Sequence, residues 1–580
     1  MINSISKIKE AYLWARNIVP MERRNVFVVY FFVLLATCLD NLNTATAFTL
    51  QANIQEVFKT DSSTASWVLS GYALTLGSFI LVSGKISDII GSHNFYLLGL
   101  LVLWICSLIC ACLPTTSIIT LIVFRAFQGI GASALVPSTL ALAANYFTGK
   151  YAKYLPAAVV SFIVALTGIF GIGMVLGGAF SETSIGYKSY FYFVFAYGLV
   201  INIILLFIII PIEKTKEHEN MKLKNIDFIG SALSIIGALL IILGLTEGGE
   251  NWRKPKAYVP LIVGFFTFIS SLLYERFYLK RFQQKNEHKD KSEDWRLQVE
   301  LLYPPEIINI PNFLNLLIIT GMYYSTFTMI TAVGVQYYSL VEGDSPIIVA
   351  VKVLPFSIGL IFGALVYRPS YFNKLGLKRT FILSAIITLG TCIWFSRIDF
   401  RKNNSYWKFG FASMLLYGYG INMYFNIYIG VVVSNTPLHL QGVVNGIYQT
   451  CSQVLLSIGN ALVPSIVGNI QLATTENAQL IIHNKLKTVL YVAMGFHVVI
   501  LLIMIIFVKE SKPKEEITAP ISESDNIDIE KNVTNDQDLT NQQTNEKISD
   551  VCSEKEDEEH CNAICLGENE SQSIDSMYEA

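Results

Sequence analysis

The stretch RAFQGIGASALVP, from Arg125 to Pro137, places a positive charge inside the apolar run SIITLIVFRAFQGIGASALVPSTLALAA. An arginine stays charged under any ordinary condition. In a membrane-spanning helix it persists where it faces a partner or a wet cavity, or near a helix end where it reaches the headgroups. At about 1.5 Å per residue, Arg125 lies roughly 10 Å from the beginning of its run. This is too deep for its side chain to reach the headgroups. We therefore interpret Arg125 as a functional charge.

The composition requires a lipid environment. Of 580 residues, 53% are hydrophobic and only 15% are charged, whereas soluble domains carry about a quarter charged residues. The formal net charge of -2 does not indicate a nucleic-acid partner. The nine cysteines follow no metal or disulfide spacing. Because no nucleophile, metal or phosphate-loop constellation occurs, we expect neither an enzyme nor a cofactor.

Hydrophobic runs long enough to span a bilayer recur along the chain. Each must be helical, because lipid leaves no backbone group unpaired. The sequence therefore predicts an all-α integral membrane protein with fourteen transmembrane helices. We place them at about 26–48, 65–83, 95–113, 118–141, 155–180, 190–211, 226–246, 257–279, 311–338, 347–367, 379–396, 408–433, 442–470 and 486–508.

Lysine and arginine in the loops set the orientation. The N-terminal segment and the loops after Pro211 and Leu279 are basic and fall on one side, which predicts a cytoplasmic N-terminus. With an even number of helices the C-terminus is also cytoplasmic. The tail is acidic, polar and poor in aromatic residues, so it cannot bury a core and is predicted to be disordered.

A faint internal repeat divides the chain. GKISDIIGSHNFYLLG (Gly84–Gly99) and GALVYRPSYFNKLGLKRTFILS (Gly363–Ser384) are both short glycine-containing turns followed by an apolar helix. If they correspond, helices 1–6 and 9–14 are two related halves, with helices 7 and 8 inserted between them. The predicted segments are 1–25 (cytoplasmic N-terminus), 26–211 (first six-helix bundle), 212–280 (inserted pair), 281–310 (cytoplasmic loop), 311–508 (second bundle) and 509–580 (tail).

Two motifs resemble those of the major facilitator superfamily. They are SWVLSGYALTLGSFILVSGKISDIIG (Ser66–Gly91) and RAFQGIGASALVP. More narrowly, the chain looks like the fourteen-helix drug:proton antiporter branch, and within it the fungal aminotriazole-resistance, borate-export and low-affinity ammonium group. The resemblance implies two six-helix bundles with two additional central helices, and transport by alternating access. The matching positions are Trp67, Tyr72, Leu74, Gly84, Asp88, Gly91, Arg125, Gln128, Gly129, Gly131 and Pro137.

The turn with Gly84, Asp88 and Gly91 corresponds to the family's gating loop. In the family this loop locks the two halves in the outward-facing state. Here Ile89 replaces the usual basic residue, and Ser92 and His93 replace the basic pair that follows. Asp88 is therefore expected either to pair across a cytoplasmic gate or to cap the next helix.

The fifth helix carries the glycines of the family's antiporter motif, without its proline. Met174 stands where that proline is expected, which weakens the case for antiport specifically. The glycines allow bending or close helix approach, and simple tight packing is the alternative. The motif residues are Gly168, Gly173, Gly177 and Gly178.

Asp40 matches the acidic residue of the family's first helix. It lies roughly 21 Å from the beginning of that helix, a depth that coincides with that of Arg125 in a core about 30 Å thick. We predict that Asp40 and Arg125 form a pair, or a water-linked near-pair, that couples transport to protons. The alternative is two charges in separate wet pockets.

Further polar and aromatic residues in the spans are candidates for the substrate cavity. Such residues serve either as substrate ligands or as hydrogen bonds between helices. The candidates are Asn43, Trp67, Tyr72, Gln128, Gln336, Tyr337, Asn422, Asn426, Asn445, Gln449 and Gln453.

The sequence thus predicts a monomeric secondary transporter that exports a small molecule, either a drug-like toxic compound or a small inorganic solute, coupled to protons. Uptake of a small ion such as ammonium is one alternative, and a transporter-like sensor signalling through its tail is another. Protons, the substrate and the bilayer are the expected partners. The plasma membrane is the expected location, with the vacuolar membrane as a second possibility.

Overall fold

A computed structural model describes residues 14, 18–60, 62–212, 226–286, 288, 294–299, 301–366, 376–436, 441–468 and 475–510. The predicted tail, apart from residues 509 and 510, and most of the predicted segment 1–25 lie outside these residues. So do the turn residues 367–375 of the second repeat copy and parts of the predicted loops after Pro211 and Leu279.

Fourteen helices in the described part of the chain are long enough to cross a membrane, and each overlaps a predicted run. They are α1 (Val26–Phe58), α2 (Ser62–Ile90), α3 (Ser92–Cys112), α4 (segments Ile118–Ser133 and Leu135–Tyr146), α5 (Leu155–Ser181), α6 (Tyr187–Ile208), α7 (Phe228–Glu250), α8 (Pro255–Leu273), α9 (Phe313–Gln336), α10 (Pro346–Val366), α11 (Leu377–Phe395), α12 (Ala412–Asn435), α13 (Gln441–Val467) and α14 (Glu476–Ile506).

All of these helices except α12 are also apolar enough to be membrane spans by hydropathy. Asparagines and tyrosines lower the hydropathy of α12, although its 24 residues extend about 36 Å. The all-α membrane fold is confirmed.

Helix α4 is interrupted at Ala134, in the middle of the span. Pro137 lies three residues further on and has no backbone N–H, so it cannot bond to the carbonyl of Ser133 and the regular helical ladder is broken there. The first segment carries Arg125 and Gln128, and the second leads to Tyr146.

The first six and the last six helices repeat one packing pattern. Helix α1 packs on α5, α2 on α4 and α3 on α6; likewise α9 packs on α13, α10 on α12 and α11 on α14. The two groups meet where α2 contacts α13 and where α5 contacts α10. Helices α7 and α8 pack on each other, and α7 also contacts α2 and α13. This confirms the predicted fold of two six-helix bundles with two added helices.

Candidate functional site

A cavity of about 190 Å³ lies where the two six-helix groups meet. Helices α1, α2, α4 and α5 contribute to its wall from one group, and α9, α10, α12 and α13 from the other. The lining positions on α2 and α4, such as Ile80 and Leu140, lie toward the end of the bundle at which α1 begins. The cavity therefore occupies that part of the molecule.

The cavity wall combines aromatic rings, amides and a single charged side chain. Asp40 is the one charged residue among the described residues that line the cavity, and its side chain is buried. The amides include Asn445, Gln449 and Gln453, which are spaced by four residues and so share one face of α13. The aromatic rings are those of Phe162, Phe170, Tyr324, Phe327, Phe425 and Tyr428.

Arg125 lies behind the cavity wall and is 1% exposed. Its Nε donates to the carbonyl oxygen of Val68 at 3.0 Å, and Nη1 donates to Gln128 Oε1 at 2.7 Å. Both terminal guanidinium nitrogens donate to Asn43, Nη1 to Oδ1 at 3.2 Å and Nη2 to the carbonyl oxygen at 3.3 Å. Neutral oxygens from three helices thus satisfy the buried cation without a carboxylate.

Tyr72 connects Asp40 to Arg125. Its hydroxyl donates to Asp40 Oδ1 at 2.6 Å, and the guanidinium carbon of Arg125 lies 4.6 Å from the centre of its ring. In the described part of the chain, Asp40 and Arg125 do not form an ion pair within 4.0 Å. In this conformation the two charges are therefore joined through Tyr72 rather than by direct contact.

The other predicted cavity residues divide into three groups. Asn43 and Gln128 hold Arg125. Asn43 also donates to the carbonyl oxygen of Leu39 and accepts from Tyr190, and Gln128 donates to Ser107. On α12, Asn426 donates to Asn422; both are buried, and neither is among the residues that line the cavity. The third group lies apart from this cavity: Trp67 is half-buried in α2, and Gln336 and Tyr337 lie at the end of α9.

Sequence reasoning missed several lining residues. Asn41 and Thr44 flank Asp40 on α1 and line the cavity with it. Asp40 and Thr44 are four residues apart and therefore share one face of α1. If Asp40 is assumed to face the cavity, the spacing predicts that Thr44 faces it as well. The aromatic lining residues carry no such signal, because aromatic residues also occur throughout the lipid-facing surface.

The predicted gating loop is a one-residue turn. Helix α2 ends at Ile90 and α3 begins at Ser92. Between them Gly91 has a φ of 97°, a conformation that residues with a Cβ rarely adopt. Gly84 is buried within α2, and the side chain of Asp88 lies outside the described residues. Its role as a latch stays a prediction.

The α5 glycines bring α5 close to α1 and α10. A Cβ at Gly173 would lie 2.9 Å from that of Ala45 on α1, and a Cβ at Gly178 would lie 2.7 Å from the carbonyl oxygen of Pro346 on α10. Gly177 faces α1, whereas a Cβ at Gly168 would make only ordinary contacts. These contacts are tightest toward the end of the bundle opposite to the cavity.

Residues 31–460 match the family model described as Major Facilitator Superfamily. The aminotriazole resistance protein of Saccharomyces cerevisiae is 26% identical over 255 residues, 43% of this chain and 46% of that protein. The low affinity ammonium transporter of the same yeast is 27% identical over 217 residues, 36% of this chain and 41% of that protein. This chain thus spans less than half the length of these two relatives.

A longer match is found with multidrug resistance protein 3 of Bacillus subtilis, which is 24% identical over 453 residues, 76% of this chain and 77% of that protein. Among solved structures, the human organic anion transporter MFSD10 has a TM-score of 0.51 at 13% identity, covering 84% of this chain and 100% of that chain. At this identity the likeness concerns the fold alone. The family match and the relatives that are named as transporters bear out the prediction that this chain is not an enzyme.

Proposed function

Since the chain belongs to the major facilitator superfamily, a family of membrane transporters, we propose that it exports a small molecule in exchange for protons. The observation that carries this proposal is the position of Asp40. It is the single charged residue in the wall of a cavity between the two six-helix groups, and Tyr72 links it to Arg125. A lone buried carboxyl in a transport cavity is a group that can take up and release a proton.

Protonation of Asp40 changes the link to Arg125. An ionised carboxylate accepts the Tyr72 hydroxyl strongly, and a neutral carboxyl accepts it weakly. Proton binding therefore loosens the contact between α1 and α2 at the cavity wall. A charge change at one buried site can bias a transporter between two packed states, provided that the states bind the proton with different affinity.

The cavity faces the cytoplasm in the proposed orientation, as it does at one stage of the cycle in exporters and importers alike, so the choice of export rests on the relatives. With the N-terminus in the cytoplasm, the end at which α1 begins faces the cytoplasm, and an exporter loads the cavity from there. The names of two relatives, aminotriazole resistance protein and multidrug resistance protein 3, support export of toxic compounds. We place the protein in the plasma membrane.

Flux into proteoliposomes with an imposed pH gradient tests the proposal. A panel of an aromatic organic cation, borate and ammonium is offered to the wild type and to Asp40→Asn. We expect gradient-driven movement of at least one compound and its loss in the variant. Flux that ignores the gradient, or an Asp40→Asn variant with full gradient-driven flux, would contradict proton coupling.

A double mutant tests the charge device itself. If Asp40 and Arg125 act as one unit, Asp40→Asn and Arg125→Gln should lose less together than the sum of their separate losses. Strictly additive losses in gradient-driven flux would show that the two residues act independently.

Uptake of ammonium is a second candidate function. It is favoured by the likeness to the low affinity ammonium transporter and by a carboxylate beside the aromatic rings of Tyr324 and Phe327, since both groups attract cations. In the same flux panel, ammonium entry that does not require a proton gradient would favour this function over proton-coupled export.

A further inference from the structure

The inserted helix pair contains two buried carboxyl groups that the transport cavity does not use. Asp227 lies at the beginning of α7 and is 1% exposed, and Glu275 lies at the end of α8 and is 2% exposed. A π-helical turn, Tyr274–Leu279, continues α8 and contains Glu275. Both groups lie at the end of the bundle where α1 begins.

Each carboxyl holds backbone amides. Asp227 Oδ1 accepts the N–H of Gly230 at 2.9 Å and so caps α7. Glu275 accepts two N–H groups from the segment that leads to α9, with Oε1 bound to Leu302 at 2.9 Å and Oε2 bound to Tyr303 at 2.8 Å. Glu275 therefore fastens that segment to the inserted pair.

The two carboxyl groups converge beside Gly230. A Cβ at this glycine would meet Asp227 Oδ2, and it would lie 3.0 Å from Glu275 Oε1. Asp227 Oδ2 is fully buried, and no hydrogen-bond donor reaches it within the described part of the chain. A buried carboxylate oxygen without a donor is costly, and a second carboxylate beside it raises that cost further.

One proton satisfies both groups. We propose that Asp227 and Glu275 share a proton between Asp227 Oδ2 and the Glu275 carboxyl, forming a proton-binding site separate from Asp40. Within the described ranges, the other titratable side chains that face the pair are Tyr274 and Tyr303. The hydroxyl of Tyr303 is bound to Ser234 at 2.6 Å. The cation that interacts electrostatically with Tyr274 is Arg296, whose Nη2 forms an ion pair with Asp294 Oδ2 at 2.7 Å.

Loss of this proton should release the segment before α9. Two buried anions repel each other, and moving Glu275 away from Asp227 breaks its bonds to Leu302 and Tyr303. The site would thus make the attachment between the inserted pair and α9 dependent on pH. This inference does not rest on proton-coupled transport, since it concerns different residues and a different measurement.

Infrared spectroscopy of the purified full-length protein at pH 7 tests the shared proton. We expect wild type to show one protonated-carboxyl band more than Asp227→Asn, because the asparagine amide can donate to Glu275 without a proton. Glu275→Gln should remove the same band and serves if the first variant does not fold. The control is Asp399→Asn, since hydrogen bonds from Arg401 lower the pKa of Asp399 and keep it ionised. An unchanged band in both variants of the pair would overturn the proposal.

Hydrogen–deuterium exchange tests the release. In wild type the peptide that contains Leu302 and Tyr303 should exchange roughly tenfold or more faster at pH 9 than at pH 6, after correction for the intrinsic rate, because two bonds to a carboxylate are lost. Asp227→Asn, which mimics the proton-bearing pair, should keep its protection at both pH values. Equal pH dependence in wild type and variant would refute the release.

Discussion

Removing the Tyr72 hydroxyl is the sharpest perturbation of the proposed charge device. Tyr72→Phe deletes the 2.6 Å bond to Asp40 and keeps the ring that lies under Arg125, so the cation–π contact survives. A hydrogen bond to a charged group contributes about 1.5–3 kcal/mol, which corresponds to roughly 10- to 150-fold in an equilibrium constant. We expect gradient-driven flux to fall by at least about tenfold if that bond distinguishes the transport states.

The assay is flux into proteoliposomes under an imposed pH gradient, with Tyr96→Phe as the matched control. Tyr96 is also fully buried in the first bundle, but its hydroxyl donates to the carbonyl oxygen of Val33 at 2.7 Å and does not contact Asp40. This variant should lose stability and keep coupling. In an Asp40→Asn background, Tyr72→Phe should have little further effect. Equal losses in Tyr72→Phe and Tyr96→Phe, or additive losses with Asp40→Asn, would refute the link.

Three further changes have defined outcomes. Arg125→Lys should abolish gradient-driven flux, because a lysine ammonium group cannot reach the separate acceptors that the guanidinium binds. Flux near the wild-type level would contradict this expectation. Gly178→Val should slow flux and lower stability, since a Cβ at this position would meet the backbone of Pro346. Labelling of an engineered cysteine nearby should increase if the contact opens. Arg401 lowers the pKa of Asp399, so their contribution to stability is present above the unfolded pKa of Asp399 and is lost as pH falls through the folded value. Arg401→Gln should remove this acid-dependent loss, as measured by hydrogen exchange of the loop.

The helices were predictable because of the bilayer itself. A run of about twenty apolar residues has one stable form in lipid, so each predicted run overlaps a helix of the structure. The interruption of α4 at Ala134 has its cause in the sequence as well, since Pro137 removes a backbone donor. The ends were less accurate: α1 continues to Phe58, well past the predicted boundary, because its polar last turns remain helical beyond the apolar run.

The rotation of each helix was not predictable to the same extent. Helices such as α1 are apolar on all sides, so hydrophobicity does not reveal which face meets which neighbour. Depth could be counted, and it placed Asp40 and Arg125 at one level. Their connection through Tyr72 depends on how α1, α2 and α4 are turned about their axes. Gln336 and Tyr337 do not line the cavity for a different reason: they lie at the end of α9, whereas the α9 residues of the wall, Thr320, Tyr324 and Phe327, lie nearer its beginning.

The contacts of Arg125 change how proton binding can act. Asn43, Val68 and Gln128 all belong to the first six-helix group, so protonation of Asp40 removes none of the four hydrogen bonds of the cation. In the mechanism that we propose, the proton therefore acts first on the packing of α1 against α2. Helix α1 also contacts α5, where Gly173 allows a close approach. Helix α5 in turn contacts α10 of the other group, where Gly178 allows a close approach. This continuous contact gives a change at Asp40 a physical route to the second group, and the Gly178→Val variant interrupts it at the last step.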